Sequence, residues 1–190
     1  MPTDIFSLER LDTPTGRMLI LTDEEHRLRA VDWEDHEGRM QRLLRQHYGA
    51  AGVTLRESSR PSAARRSLEA YFEGDLEAWT GLSTATNGTP FQRAVWDALR
   101  RIPVGQTVSY GRLAASIGRP TATRAVGLAN GANPVAIVVP CHRVIGADDS
   151  LTGYGGGVER KRWLLRHEGA YPSKRASQAA QGEIAFSRPA

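Results

Sequence analysis

The sequence predicts an α+β protein in two parts, and three observations carry that prediction. Strand-like alternation fills the first 33 residues, helical spacing follows it, and a polar stretch at residues 83–88 leads into a second half that opens with strong helix-start signals. At 190 residues, with 40% hydrophobic and 24% charged side chains, the chain is long enough to bury a core in one large or two small domains. Fibrous, disordered and disulfide-scaffold classes are excluded.

The elements follow in order. Residues 5–11, 18–21 and 28–33 alternate apolar and polar positions around a turn at Thr13, Pro14, Thr15 and Gly16, which predicts a small antiparallel sheet, polar on one side. Helices are expected over 39–48, from Met40, Leu43, Leu44 and His47, and over 63–72, from Leu68, Tyr71 and Phe72. His26, His36 and His47 are scattered through this half without a helical pair at spacing four, so no metal site is expected. The domain expectation is 1–82, a linker at 83–88, a second domain at 89–170 and a disordered tail at 171–190.

In the second half Thr89 is placed to cap a helix, with Pro90 at its first position and Gln92 at its third, ahead of Val95, Trp96 and Leu99. Pro103 and Gly105 end it. Ser109 caps a second helix over 110–117 that stops at Gly118 and Pro120, and Thr121 opens a third running to about Asn130 and closed by Gly131. Two short helices across a tight turn form a helix-turn-helix pattern, though any packed helical hairpin can share it. The third helix carries Ala122, Thr123, Ala125, Val126, Gly127 and Ala129, with Arg124 the one long side chain. Small residues do not make bidentate contacts to base edges in a wide groove, but they let a helix approach a narrow groove or another backbone.

The run NPVAIVVPCHRVIG at residues 133–146 reads as a buried strand-like rod that delivers the single cysteine, Cys141, into a proline-punctuated turn. One cysteine rules out an internal disulfide, a multi-cysteine zinc site and a cysteine-ligated iron-sulfur cluster. The thiol is either a buried small hydrophobe or a reagent. His142 and Arg143 are the types that hold a thiol as thiolate, although sequence neighbours diverge in a strand, so contact needs a turn or a bridging water. Residues 152–157 (TGYGGG) form a loop before a helix over 158–167. Glu168 ends that helix, where a carboxylate opposes the helix dipole, and orienting His142 would account for it.

Charge is divided unevenly: residues 1–87 carry net −4, residues 88–170 net +6 and the remainder net +2. Such a split points the second half toward a polyanion. No apolar run reaches the ~18 residues needed to span a bilayer, and the N-terminus lacks the order of a secretory signal, so a cytoplasmic, reducing location is expected.

Pro140-Cys141-His142-Arg143-Val144, with Arg124-Ala125-Val126-Gly127, Asn133-Pro134, Tyr154, Gly156-Gly157 and Leu164 to Gly169, resembles the methylated-DNA:protein-cysteine methyltransferases (O6-alkylguanine-DNA alkyltransferases), most closely the short constitutive bacterial members. The similarity extends from about Ile5 to Gly169. It implies an N-terminal ribonuclease-H-like α/β domain and a C-terminal helical, winged-helix-like domain with the helix-turn-helix. It also implies irreversible, single-turnover transfer of an alkyl group from O6-alkylguanine, and from O4-alkylthymine, in double-stranded DNA after base flipping, without a cofactor.

Carried over by resemblance, Cys141 is the acceptor, His142 the base acting through water, Glu168 the residue orienting it, and Asn133 the pin of the turn beneath the site. Tyr110 contacts DNA and protonates the departing guanine at N3. Arg124 fills the gap left by the flipped base, and Arg119, Ala122, Thr123, Ala125 and Gly127 join it against DNA. Val144, Tyr154, Gly155 and Trp96 line the pocket. A monomer is expected, with clustering along DNA left open. The chain lacks the N-terminal cysteines through which some relatives bind zinc. It carries Gly155 and Ala136 where a number of relatives have serine and proline, which predicts a roomier pocket; Thr123 stands where relatives often have alanine. Two other classes compete. A cysteine hydrolase would need a remote histidine and an oxyanion hole, and a non-catalytic lesion binder of the same scaffold usually carries tryptophan in place of Cys141.

Overall fold

The computed structural model describes residues 4–49 and 53–170, so the tail expected at 171–190 lies outside the described residues. Two compact units are formed: residues up to 89 together with 132–138, and residues 90–131 together with 139–170. The segment 132–138, placed in the second half by the sequence reading, therefore groups with the first unit.

The first unit is built on a four-stranded sheet in the order β3-β2-β1-β4, from β1 (Ile5–Thr13), β2 (Gly16–Thr22), β3 (Leu28–Trp33) and β4 (Thr54–Glu57). β1 and β2 are a hairpin paired from Ser7↔Thr22 to Thr13↔Gly16. Gly16 adopts φ 110, a conformation side-chain-bearing residues rarely reach, and the Thr13 hydroxyl donates to its carbonyl at 2.6 Å. β4 runs parallel to β1 and was not expected, because its four residues Thr-Leu-Arg-Glu are mostly exposed and carry no apolar alternation.

The sheet is not polar on one side as the alternation suggested. β2 is buried from Met18 through Thr22 on both faces. α1 (Glu37–Tyr48) supplies Met40 and Leu44 to a cluster with Phe6, Leu8, Leu19, Leu21 and Ala30, while α2 (Ala63–Glu73) packs against β1 and β2. α2 starts where Ser62 accepts from Arg65 N, and the Ser62 N–H itself donates to Glu9, a buried strand residue. The expected linker is held: Leu28 N donates to Ser83 O and Ala85 N to Leu28 O, both at 2.9 Å.

The apolar run after Asn133 is not a strand. It touches β3 through one parallel bridge, Val31↔Val135, with Val31 N donating to Pro134 O and Ala136 N to Val31 O. It then turns on Ile137, whose φ of 69 closes a three-residue turn with Val138 N on Ala136 O at 2.8 Å. That left-handed backbone is unfavourable for a β-branched residue, and it ends strand geometry three residues before Pro140.

The second unit contains α3 (Pro90–Arg100), α4 (Tyr110–Ser116), α5 (Thr123–Gly131), α6 (Val158–His167) and two short parallel strands, β5 (Val108–Ser109) and β6 (Val144–Ile145). Ser109 caps α4 by accepting from Arg112 N. α5 starts at Thr123, two residues later than expected, because 119–122 form a turn with Ala122 N on Arg119 O. Among the described residues no helix is long and apolar enough to cross a membrane.

Candidate active site

The site grows from backbone geometry around Pro140. With φ −80 and ψ 63, Pro140 centres an inverse γ-turn in which Cys141 N donates to Val139 O at 2.7 Å. Cys141–Arg143 then form a 3-10 turn, closed by Arg143 N on Pro140 O. Three residues per turn fan the side chains of Cys141, His142 and Arg143 about 120° apart, which a strand could not do. All three are buried. Asn130 of α5 donates Nδ2 to the Cys141 carbonyl at 3.4 Å.

Behind the turn lies Glu168, the C-terminal cap of α6. Its carboxylate is gripped from two sides. Arg143 donates Nε to Oε2 and Nη2 to Oε1, both at 2.8 Å, and His142 Nε2 lies 2.9 Å from Oε1. Arg143 Nη1 donates to Ile102 O, so the guanidinium is tied to carboxylate and backbone at once. This resolves the misplaced carboxylate at a helix C-terminus.

The protonation states follow from those contacts. Burial would raise Glu168, but the contacts to His142 and Arg143 outweigh it and hold the carboxyl far below the usual range. Burial lowers His142 from 6.5, more strongly than Glu168 raises it, so the imidazole is neutral near neutral pH. A carboxylate can only accept, so Nε2 carries the proton and Nδ1 is the basic nitrogen. Nδ1 is buried and has no hydrogen-bond partner among the described protein atoms. A neutral imidazole with an available nitrogen, fixed by an ionised carboxylate, has the chemistry a general base needs.

A second surface is bare. On α5, Thr123, Arg124, Ala125 and Leu128 are exposed, as is Arg119 before it, while Ala122 and Gly127 are half-buried. Tyr110 opens α4 with its ring beside α5: a Cβ built on Gly127 would lie 3.8 Å from the ring, an ordinary contact. The protein thus leaves room for a methyl group at Gly127, and the helix pays about 1 kcal/mol in propensity for glycine there. Thr152 donates its hydroxyl to the Tyr110 phenol oxygen at 3.2 Å.

The remaining expected residues take these places. Val144 is buried where the 3-10 turn passes into β6, and Tyr154 sets its ring edge-on to His142, centroids 6.5 Å apart. Gly155 is half-buried in the loop before α6. Trp96 is buried with its indole N–H on Ala129 O at 2.9 Å, a contact that docks α5 on α3. Asn133 belongs to the first unit, where its side chain accepts from Val135 N and its carbonyl accepts from Arg39. Two buried cations near the turn escaped the sequence reading: Arg143 as the grip on Glu168, and Lys161, whose ammonium donates to the Val144 and Thr152 carbonyls. The second had a readable signal, since Lys161, Leu164, Leu165 and Glu168 share one helical face. Among the described residues no group of three His, Cys, Asp or Glu side chains could hold a metal ion.

Both halves of the chain are similar to known proteins. Residues 90–170 match a family described as 6-O-methylguanine DNA methyltransferase, DNA binding domain, and residues 9–85 match its ribonuclease-like domain. A methylated-DNA–protein-cysteine methyltransferase of Salmonella typhimurium is 55% identical over 161 residues, covering 85% of this chain and 94% of the relative. One from Haemophilus influenzae is 40% identical over 158 residues, covering 82% of each. Among solved structures, a Mycobacterium tuberculosis O6-methylguanine methyltransferase has TM-score 0.66 at 38% identity, covering 90% of this chain and 98% of that one. A complex of the M. tuberculosis protein with DNA has TM-score 0.67 at 37% identity, covering 91% and 98%.

Proposed function

The chain belongs to the 6-O-methylguanine DNA methyltransferase family, and from that premise we propose the following working of its site. The protein is a DNA-repair enzyme, a methylated-DNA–protein-cysteine methyltransferase that moves the alkyl group of the damaged base onto itself. Cys141 is the acceptor. The thiol proton goes through a bridging water to His142 Nδ1, the thiolate attacks the alkyl carbon on O6 of guanine, the C–O bond breaks with its electron pair staying on the base, and an S–C bond forms. Tyr110 donates a proton to N3 of the departing base, and Glu168 keeps His142 in the tautomer that presents Nδ1. The product is a thioether, which this site cannot hydrolyse, so each molecule acts once.

The single observation that carries this reading is the buried Cys141–Arg143 turn with His142 locked by Glu168 on one nitrogen and unengaged on the other. Duplex DNA is proposed to dock on the bare face of α5, with Arg124 filling the place of the flipped nucleotide and Arg119, Ala122, Thr123, Ala125 and Gly127 against the minor groove. Val144, Tyr154 and Gly155 line the pocket, and Asn133 pins the turn in its own unit. Residues up to 89 together with 132–138 form the supporting unit, and residues 90–131 together with 139–170 the acceptor unit, of a cytoplasmic monomer. A hydrogen in place of a serine side chain at Gly155 supports acceptance of O4-alkylthymine as well, which Gly155→Ser should curtail selectively.

The test is intact mass after incubation with duplex carrying O6-methylguanine. The wild-type protein should gain one methylene, mapping to Cys141, and Cys141→Ser should gain none while still binding the duplex. A wild-type protein of unchanged mass overturns the reading.

A further inference from the structure

One buried charge in the second unit has no task in the mechanism above. Lys161 of α6 has no exposed surface, and its ammonium donates to two main-chain carbonyls, Val144 O at 2.6 Å and Thr152 O at 3.2 Å. Taking an ammonium out of water is expensive, and an apolar side chain of similar length would fill the space without that cost. The two carbonyls offset part of that cost. Val144 is the residue into which the Cys141–Arg143 turn closes, and Thr152 ends the excursion of residues 146–151 that leads on to Tyr154. Thr152 also donates its hydroxyl to the phenol oxygen of Tyr110.

We propose that Lys161 is a positioning residue for the transfer reaction: it ties the nucleophile's turn to Thr152, and through the Thr152 hydroxyl it holds the Tyr110 phenol in place. The inference rests on the assignment of Tyr110 as the acid for the leaving base. A phenol oxygen that accepts from Thr152 keeps its own proton available for donation, and the accepted hydrogen bond stabilises the charge left when that proton departs. The nucleophile and the leaving-group acid are thus spaced by one cation. Burial lowers Lys161 from 10.5 to about 8, a shift that a thiolate at Cys141 opposes. By reciprocity the ammonium attracts a thiolate at Cys141.

Single-turnover transfer from duplex O6-methylguanine, followed by intact mass across neutral to alkaline pH, tests the chain of contacts. Thr152→Val removes the surface hydroxyl at nearly constant shape and should slow transfer about 2- to 10-fold, the kinetic equivalent of one hydrogen bond. Thr152→Ser should restore it. In a Tyr110→Phe background Thr152→Val should have no further effect, because the hydroxyl acts through the phenol. Lys161→Met should slow transfer at least as much as Thr152→Val, with folding checked by thermal unfolding; where that variant does not fold, the Thr152 series decides. A Thr152→Val protein at the wild-type rate, an equal penalty in the Tyr110→Phe background, failure of serine to rescue, or folded Lys161→Met at full rate would each overturn the proposal. A wild-type protein that gains no methyl overturns the assigned activity instead, so the two failures are distinct.

Discussion

The two units both bury carboxylates against arginines, and in the second the carboxylate also holds a histidine whose other nitrogen has no partner among the described protein atoms. In the first unit Asp32 accepts from Arg39 at 2.6 Å and from Trp33 N, and burial still raises it above 3.8 because one arginine does not offset the loss of water. Asp23 accepts from Arg27 and Arg29 and falls below its ordinary value. Both networks close on themselves and hold strands and loops. In the second unit Glu168 has a two-pronged arginine and a histidine, and that histidine ends in an unengaged Nδ1. A buried ion pair is therefore not what marks a site. The mark is a titratable atom that the fold orients but does not use.

The contrast breaks most visibly at the carboxylates. Glu168→Gln should slow single-turnover transfer by at least about 100-fold, the usual worth of a general base and its orientation. It should also destabilise the fold by about 3–5 kcal/mol, because Arg143 is left buried without its partner. Asp23→Asn, the first-unit control, should lose stability on denaturant melting while keeping the wild-type transfer rate. Equal rate losses in both variants would erase the distinction between the units.

Arginines give the next largest separation. Arg124→Ala should impair transfer from duplex about 10- to 100-fold and leave reaction with the free O6-alkylguanine base unchanged, because only the duplex requires flipping. Arg17→Ala, which removes exposed pairs to Asp12 and Glu34, should leave both reactions intact. Equal losses on duplex and free base would make Arg124 structural.

Acid acts on a smaller scale. His142 and the first unit's His47 are both lowered from 6.5 by burial, so each binds its proton more readily in the unfolded chain. Stability is full above 6.5 and declines as pH falls toward the folded values, more for the fully buried His142 than for the half-buried His47. Glu168, held low, adds loss only below the ordinary carboxylate range. The pH dependence of denaturant melts between neutral and mildly acidic pH should weaken in His142→Gln and, to a smaller extent, in His47→Gln, while the transfer rate is lost only in the first. The smallest effect is at the glycines. Gly127→Ala and Gly38→Ala both place a methyl where the protein has room, and each should leave stability unchanged or raise it by up to about 1 kcal/mol. Only Gly127→Ala should weaken duplex repair.

Much of this was legible in the residues themselves. The helix starts at Pro90 and Tyr110 were written in Pro90 and in the Ser109 cap, and the first three strands in their alternation. β4 was hidden because pairing with β1 is set by backbone, not by its polar side chains. The rod before Cys141 departs from the expected strand because apolarity signals burial and not conformation: two three-residue turns, on Ile137 and Pro140, occupy what composition presents as a strand. Cys141, His142 and Glu168 could be nominated from type and position. That Arg143 grips Glu168 while Lys161 grips two carbonyls depends on the turn of the 3-10 segment and on the pitch of α6, which side-chain chemistry alone does not convey.

The lone bridge between Val31 and Val135 bears on the order of synthesis. β3 is an edge strand, and its outer side is met by Thr84 near one end and by the 132–138 segment further along. As the chain leaves the ribosome, the first unit has its helices and four strands by residue 89 but must wait for more than forty further residues before Val31 finds its partners. During that interval the nascent sheet presents an unpaired apolar edge, the surface on which strands of other chains aggregate. Production of the first half alone should therefore yield insoluble protein, and the return of residues 132–138 is the step that makes the half-built chain safe.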